Sequence, residues 1–258
     1  MIELVNITQH YGIRPVLRKI DLRIDPGQLV AVIGPNGMGK TTLLSVMAGV
    51  LQPQHGHVSI NGIQRHSTID AELEIRKQAV YLPDHPWLPI TWTGREYLLA
   101  VARLYSIDDD RRMDHAERLL RLFELNELAE SPIRTYSSGQ LKKISICSAL
   151  VTDAPILLLD EPFSGGLDPS GIFALKRVLN RLVDGGATIV MTTPVPELME
   201  ELADRLVVLR DGEIAAFGTL EEIGDTQRTA GSLSQALEKI VFPQTIENIE
   251  QYFQGGAS

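Results

Sequence analysis

Gly34-Pro35-Asn36-Gly37-Met38-Gly39-Lys40-Thr41-Thr42 decides the fold of this 258-residue chain. The apolar run Leu29-Val30-Ala31-Val32-Ile33 precedes it, and Leu43-Leu44-Ser45-Val46-Met47-Ala48 follows. The order is strand, glycine-rich loop, helix, and the stretch meets every fixed position of the G-x-x-x-x-G-K-[ST] pattern. Each residue type has a physical reason. Gly34, Gly37 and Gly39 let the backbone bend so that its N–H groups converge on phosphate oxygens. The following helix presents its positive end to the same anion. Lys40 supplies a mobile point charge for the outer phosphates, and the Thr41 hydroxyl is placed for Mg²⁺. The spacing predicts a nucleoside triphosphate site, with Pro35, Asn36, Met38 and Thr42 completing the loop.

Composition narrows the setting. Hydrophobic content of 44% is ample for a packed core, and a formal net charge of −9 argues against a nucleic-acid partner. The single cysteine, Cys147, excludes an internal disulfide framework and any cysteine-built zinc site. It sits in the apolar stretch Ile144-Ser145-Ile146-Cys147-Ser148-Ala149, so a buried, inert thiol is expected. No run approaches the ~18 apolar residues of a membrane span, and no signal-peptide pattern opens the chain. The expected setting is a reducing cytosol.

The pattern around the loop is α/β. Residues 1–7 alternate apolar and polar and read as a strand, as do residues 21–25 before the turn Pro26-Gly27. Residues 57–60 are a strand, Asn61-Gly62 a hairpin turn, and residues 79–82 a further strand. From Thr93 to Ala129 the pattern becomes helical, a helical insertion in the α/β frame. The frame resumes with a helix over 137–151, a buried strand over 155–160 and a helix over 172–183 that stops at Gly185-Gly186. Residues 188–192 and 205–209 are buried strands, and Asp211-Gly212 turns the chain into residues 213–217. Beyond 224 the tail is less readable. An amphipathic helix over 233–241 and disorder over 254–258 are expected.

A second constellation complements the loop. Ile156-Leu157-Leu158-Leu159-Asp160-Glu161 puts two carboxylates at the carboxyl end of a buried strand, where open α/β sheets build ligand sites. Asp160 is placed to hold Mg²⁺, directly or through water. Glu161 is placed to orient or deprotonate an attacking water.

Together these residues resemble the nucleotide-binding subunit of an ATP-binding cassette (ABC) transporter, over roughly residues 2–220. Tyr11, in Tyr11-Gly12, matches the aromatic that stacks on adenine. Ser137, Gly139 and Gln140 match the family signature Leu-Ser-Gly-Gly-Gln, written here Tyr136-Ser137-Ser138-Gly139-Gln140. Leu167-Asp168-Pro169 matches the interface loop after the catalytic glutamate, and Asp204-Arg205 and Asp211-Gly212 match the last sheet strands. The resemblance implies an α/β P-loop NTPase with a mainly parallel central sheet, an N-terminal antiparallel β subdomain and an inserted helical subdomain at about 85–150. It implies an ATPase domain over 1–223 and a C-terminal extension over 224–258. It also implies ATP and Mg²⁺ as cofactors, with Thr41, Asp160 and Asp84 around the metal, and Glu161 as the catalytic residue. Two such subunits, identical or not, would face each other head to tail, each ATP lying between one phosphate loop and the other's signature. Separate multi-spanning membrane permease subunits would receive the motion, with this chain peripheral on the inner face of the cell membrane. Tyr81-Leu82-Pro83-Asp84 with Arg95-Glu96-Tyr97-Leu98 resembles the exporter branch. Pro86-Trp87-Leu88-Pro89-Ile90-Thr91-Trp92 is either part of the docking surface or a locally buried turn.

The chain departs from the family pattern at four places. Asp84 stands where many members carry Gln; an ionised Asp accepts but cannot donate, and a Mg²⁺/γ-phosphate sensing role is still expected. Ser138 replaces a signature glycine and Tyr136 its leucine. The segment from Glu161 to Asp168 is one residue longer than usual, with Gly165-Gly166 as the site of the addition. Pro194 stands at the switch histidine, and all six histidines lie at or before His115. Proline brings neither an N–H nor a polar side chain; Thr193 is the nearest substitute donor. Slow hydrolysis is therefore expected, and a degenerate regulatory cassette is the competing reading. A soluble cassette acting on DNA or ribosomes is disfavoured by the single cassette and the acidic balance.

Overall fold

The computed structural model describes residues 1–193, 201–226 and 242–255. β3 (Leu29–Ile33) is buried at every position, and so are β7 (Ile156–Leu159) and β8 (Thr188–Thr193). Strands covered on both faces read as unbroken apolar runs. These three belong to a six-stranded sheet with β6 (Ala79–Leu82), β9 (Arg205–Arg210) and β10 (Glu213–Gly218), in the order β10-β9-β3-β8-β7-β6. All neighbours are parallel except β10, which runs antiparallel to β9. Alternate residues face opposite ways. Leu29, Ala31 and Ile33 join one core, while Val30 and Val32 join the other. Each of the fully buried Leu, Ile and Val side chains contributes about 1.5–3 kcal/mol.

The second sheet is antiparallel, in the order β2-β1-β4-β5, from β1 (Ile2–Tyr11), β2 (Arg14–Ile24), β4 (His55–Ile60) and β5 (Ile63–Gln64). Its buried Ile2, Leu4, Ile7, Leu17 and Ile20 pack with α1 (Lys40–Met47) against the large sheet. α2 (Ile69–Gln78), capped by Thr68, lies before β6. The opposite face carries α3 (Gly94–Leu104), α4 (Asp109–Leu122), α5 (Ser138–Leu150) and α6 (Pro169–Asp184), which contribute Leu98, Leu120, Ile144 and Leu175 to the other core. The α/β architecture thus matches the expected mainly parallel sheet, antiparallel β sheet and helical insertion.

Several boundaries shift. β2 begins at Arg14 rather than 21, because its first half pairs with the end of β1 through Pro15 and Leu17. α6 begins at Pro169 rather than 172, because Asp168 accepts from Gly171 N at 2.8 Å and proline suits a first helical position. α7 (Leu220–Thr226) crosses the boundary placed at 223/224. Gln254 and Gly255, read as disordered, end α8 (Pro243–Gly255). The helix read over 233–241 and Pro194 lie outside the described residues. Among the described residues, no helix is long and apolar enough to cross a membrane.

Candidate functional site

The carboxyl ends of β3, β8, β7 and β6 are neighbours in the sheet, and each delivers one part of the site. From β3 comes the glycine loop. A Cβ on Gly34 would lie 2.3 Å from the Leu209 carbonyl oxygen, so only glycine lets the loop leave the sheet here. Gly37 and Gly39 have φ of 80° and 96°, in the left-handed region. Gly37 has nothing within 4 Å of where a Cβ would stand, so the loop is open on that side. Lys40 is almost wholly buried and donates to Gly34 O (2.8 Å), Pro35 O (3.1 Å) and Asn36 Oδ1 (3.5 Å). Burial lowers its pKa; the charges of Glu161 and Asp160 oppose that shift.

From β7 come the carboxylates. Asp160 is 1% exposed. Its Oδ1 accepts from Thr192 Oγ1 at 2.5 Å and from Thr41 Oγ1 at 3.2 Å. Its Oδ2 is buried and, among the described residues, meets no hydrogen-bond donor. A buried carboxylate oxygen left this way is costly unless a cation takes it up. With the Thr41 hydroxyl beside it, this donor set fits Mg²⁺. Glu161 has φ of 45°, and its N–H donates to Thr192 Oγ1 at 2.9 Å. Burial raises the Glu161 pKa, Asp84 and Asp160 add to the rise, and Lys40 and Lys142 oppose it.

From the end of β6 comes Asp84. Its Oδ1 accepts from Ser164 Oγ at 2.7 Å and from Lys142 Nζ at 3.2 Å, and Oδ2 lies 3.4 Å from His85 Nε2. Burial pushes the Asp84 pKa up, but the Ser164 and Lys142 hydrogen bonds and the Lys142 charge outweigh it, and the net shift is downward.

α5 opens with Ser137 as its cap; Ser137 Oγ accepts from Gln140 N, and Gln140 Oε1 accepts from Ser137 N. Ser137 and Ser138 are exposed. Gly139 backs onto the Gly165-Gly166 loop: a Cβ there would lie 2.7 Å from the Gly166 carbonyl. Tyr136, in the leucine's place, is buried and donates to Leu128 O at 2.7 Å, which ties α5 to the helical insertion. Asp168 accepts from Lys143 Nζ at 2.8 Å, and that bond, with the one from Gly171 N, lowers its pKa.

A cleft of about 350 Å³ brings Tyr11, Asn36, Gly37, Lys40, Thr41 and Glu161 together. Among the described residues it has no lining from Ser137, Ser138, Gly139 or Gln140. Tyr11 is 58% exposed. Trp87 is 85% and Trp92 46% exposed, so neither is buried locally. They line an apolar cleft of about 790 Å³ against Tyr97 and Val101 of α3 and Leu141 of α5. Cys147 is fully buried, and burial holds its thiol well above the ordinary range.

The sequence matches the family model for the ABC transporter over residues 17–164. The chain belongs to the ABC transporter family. It is an ATP-binding subunit of that family, similar along most of its length to other such subunits. It is 33% identical over 238 residues to the daunorubicin resistance ATP-binding protein DrrA3 of Streptomyces coeruleorubidus, which covers 89% of this chain and 74% of the relative. Among solved structures, an ATP-binding subunit of an ABC transporter superposes with a TM-score of 0.85 at 31% identity, covering 93% of this chain and 99% of that one. The dimeric ATP-binding cassette MJ0796, in a post-hydrolysis state bound to ADP and Pi, superposes with a TM-score of 0.78 at 25% identity, covering 85% and 98%.

The ABC subunit's sequence does not single out Thr192, Lys142 or Ser164. Each is an ordinary polar residue in its own segment, and each acquires its distant partner only through the tertiary fold. The one signal available was lysine inside the otherwise well-packed segment that becomes α5.

Proposed function

We propose that this subunit binds and hydrolyses ATP at the phosphate loop and passes ATP-driven dimerisation to separate membrane subunits, in the direction of export. The observation that carries the reading is the meeting of Lys40, Thr41 and Glu161 at one cleft, with the buried Asp160 bonded to Thr41 and its Oδ2 left for a cation. Loop N–H groups from Gly34 to Thr42 and Lys40 hold the phosphates. Thr41 and Asp160 hold Mg²⁺, which when bound offsets phosphate charge. Glu161, its carboxylate made more basic by burial, takes the proton of the attacking water. Tyr11 offers an exposed ring to the adenine base. Ser137, Ser138, Gly139 and Gln140 are exposed or half-buried and serve the site of a second cassette, identical or not. The dimeric MJ0796 cassette, with its bound products, supports that arrangement.

The apolar cleft at Trp87 and Trp92 is the surface for the membrane subunits. The ATPase domain spans 1–223, and 224–258 is an extension. Similarity to a protein named for daunorubicin resistance supports export, since removal of a compound confers resistance to it. Membrane attachment is then peripheral and cytoplasmic.

Pro194 favours a second reading, a slow or regulatory cassette. Steady-state ATPase of the subunit with its membrane partner, beside Pro194→His, separates the two. A slow wild type that the substitution accelerates is expected. A fast wild type that gains nothing contradicts the slow-site reading.

A further inference from the structure

Asp84 and Lys142 meet from distant parts of the chain, one after β6 and one in α5. The Lys142 side chain is 5% exposed. Its ammonium donates to Asp84 Oδ1 (3.2 Å), to the Asp84 carbonyl (3.4 Å) and to Ser164 Oγ (3.4 Å). The Ser164 hydroxyl has two acceptors in reach, Asp84 Oδ1 at 2.7 Å and the Glu161 carbonyl at 2.8 Å. The loop at Gly165 passes close to the same lysine, since a Cβ there would lie 3.6 Å from Lys142 Cδ.

A buried ammonium needs a counter-charge, and removing one partner of such a pair is far more damaging than removing both. Asp84 is that counter-charge. Glutamine, neutral at the same place, could accept a hydrogen bond but would remove the carboxylate paired directly with the buried cation. The buried Lys142 ammonium thus favours a carboxylate at 84.

We propose that Asp84 and Lys142 act as one charge unit that positions Glu161 through Ser164, so that glutamine at 84 disables this subunit unless the Lys142 charge is removed with it. The inference rests on the hydrolytic reading above. Asp84 and Lys142 are positioning residues, not catalytic ones.

The test is a double-mutant cycle of Asp84→Gln, Lys142→Met and both together, with Lys142→Arg added. Thermal unfolding without nucleotide reads the pair alone; kcat and KM for ATP with the membrane partner read its effect on Glu161. Asp84→Gln is expected to lower Tm by roughly 5 °C, and the double variant to recover most of that loss. Asp84→Gln is expected to cut kcat about tenfold with KM within about threefold, the signature of a group acting after substrate binding. The double variant should regain at least about threefold of that, and Lys142→Arg should stay about fivefold above Lys142→Met. An Asp84→Gln subunit as fast as wild type, or effects that simply add in the double variant, would overturn the proposal. A wild type without ATPase would instead refute the hydrolytic reading, and the Tm cycle would still decide the pair.

Discussion

Thr192 Oγ1 lies 2.5 Å from Asp160 Oδ1, and the same hydroxyl accepts the Glu161 N–H at 2.9 Å. One fully buried side chain on β8 therefore fixes both carboxylate residues at the end of β7. The parallel register, with Leu159 opposite Met191, places Thr192 there. Thr192→Val keeps the shape and removes the hydroxyl, leaving the part-buried Glu161 N–H without its acceptor and Asp160 Oδ1 without the closer of its two donors. That costs about 1–3 kcal/mol of stability, and the misplaced carboxylates should lower kcat about 10- to 100-fold. Thr192→Ser should retain most of the activity. Steady-state ATPase at saturating ATP checks both, and equal losses in the two variants would remove the hydroxyl from the account.

Lys40 is the cation nearest the loop interior, and its reach is set by Gly34 O and Pro35 O. Lys40→Ala should weaken ATP binding at least about tenfold, the loss of a charge-assisted contact. Titration with a fluorescent ATP analogue measures it. Unchanged affinity would contradict the assignment of the loop.

Gly34 has no room for a methyl group, with the Leu209 carbonyl 2.3 Å from where it would stand. That oxygen belongs to β9 backbone, which cannot move without disturbing the sheet. Gly34→Ala should lower Tm by roughly 5 °C or more. Gly37→Ala meets no neighbour, and its cost should be limited to the strain of a positive φ. Paired thermal melts check the difference.

His115 supplies a pH dependence. Its side chain is 19% exposed and 3.4 Å from Asp153. Burial lowers its pKa from the ordinary 6.5, Asp153 opposes, Arg118 and Arg111 add to the fall, and Asp114 opposes it. The folded chain then binds this proton less tightly than the unfolded chain. The stability from neutral His115 is present above the ordinary value and is lost as pH falls through the lowered one. Between about pH 7.5 and 5.5 the wild type should lose more Tm than His115→Gln. Parallel loss in both would contradict the assignment.

Much of this was legible in the sequence, for a physical reason. Residues 29–33 are apolar without a break because both faces of β3 are covered, and Lys40 follows a loop whose Gly34 and Gly39 leave no room for a Cβ and whose Gly37 takes a positive φ. Asp160 and Glu161 end an equally apolar run. α2 was not legible: its one buried residue is Ile75, so its sequence carries almost no apolar period. Lys142, Ser164 and Thr192 were not legible as site residues either, since their partners are 58, 80 and 32 positions away. Asp84 was read toward the metal. It also meets Lys142 and Ser164, and only the placement of α5 and of the loop after β7 against the end of β6 reveals them.

The central claim is that Glu161 is the base of an ATP-hydrolysing site built on the loop from Gly34 to Thr42. Glu161→Gln tests it most directly, because it keeps the side chain's size and removes its basicity. ATP turnover with the membrane partner should fall at least about 100-fold while ATP affinity stays within about threefold and the closed dimer accumulates. Turnover equal to wild type would contradict the account.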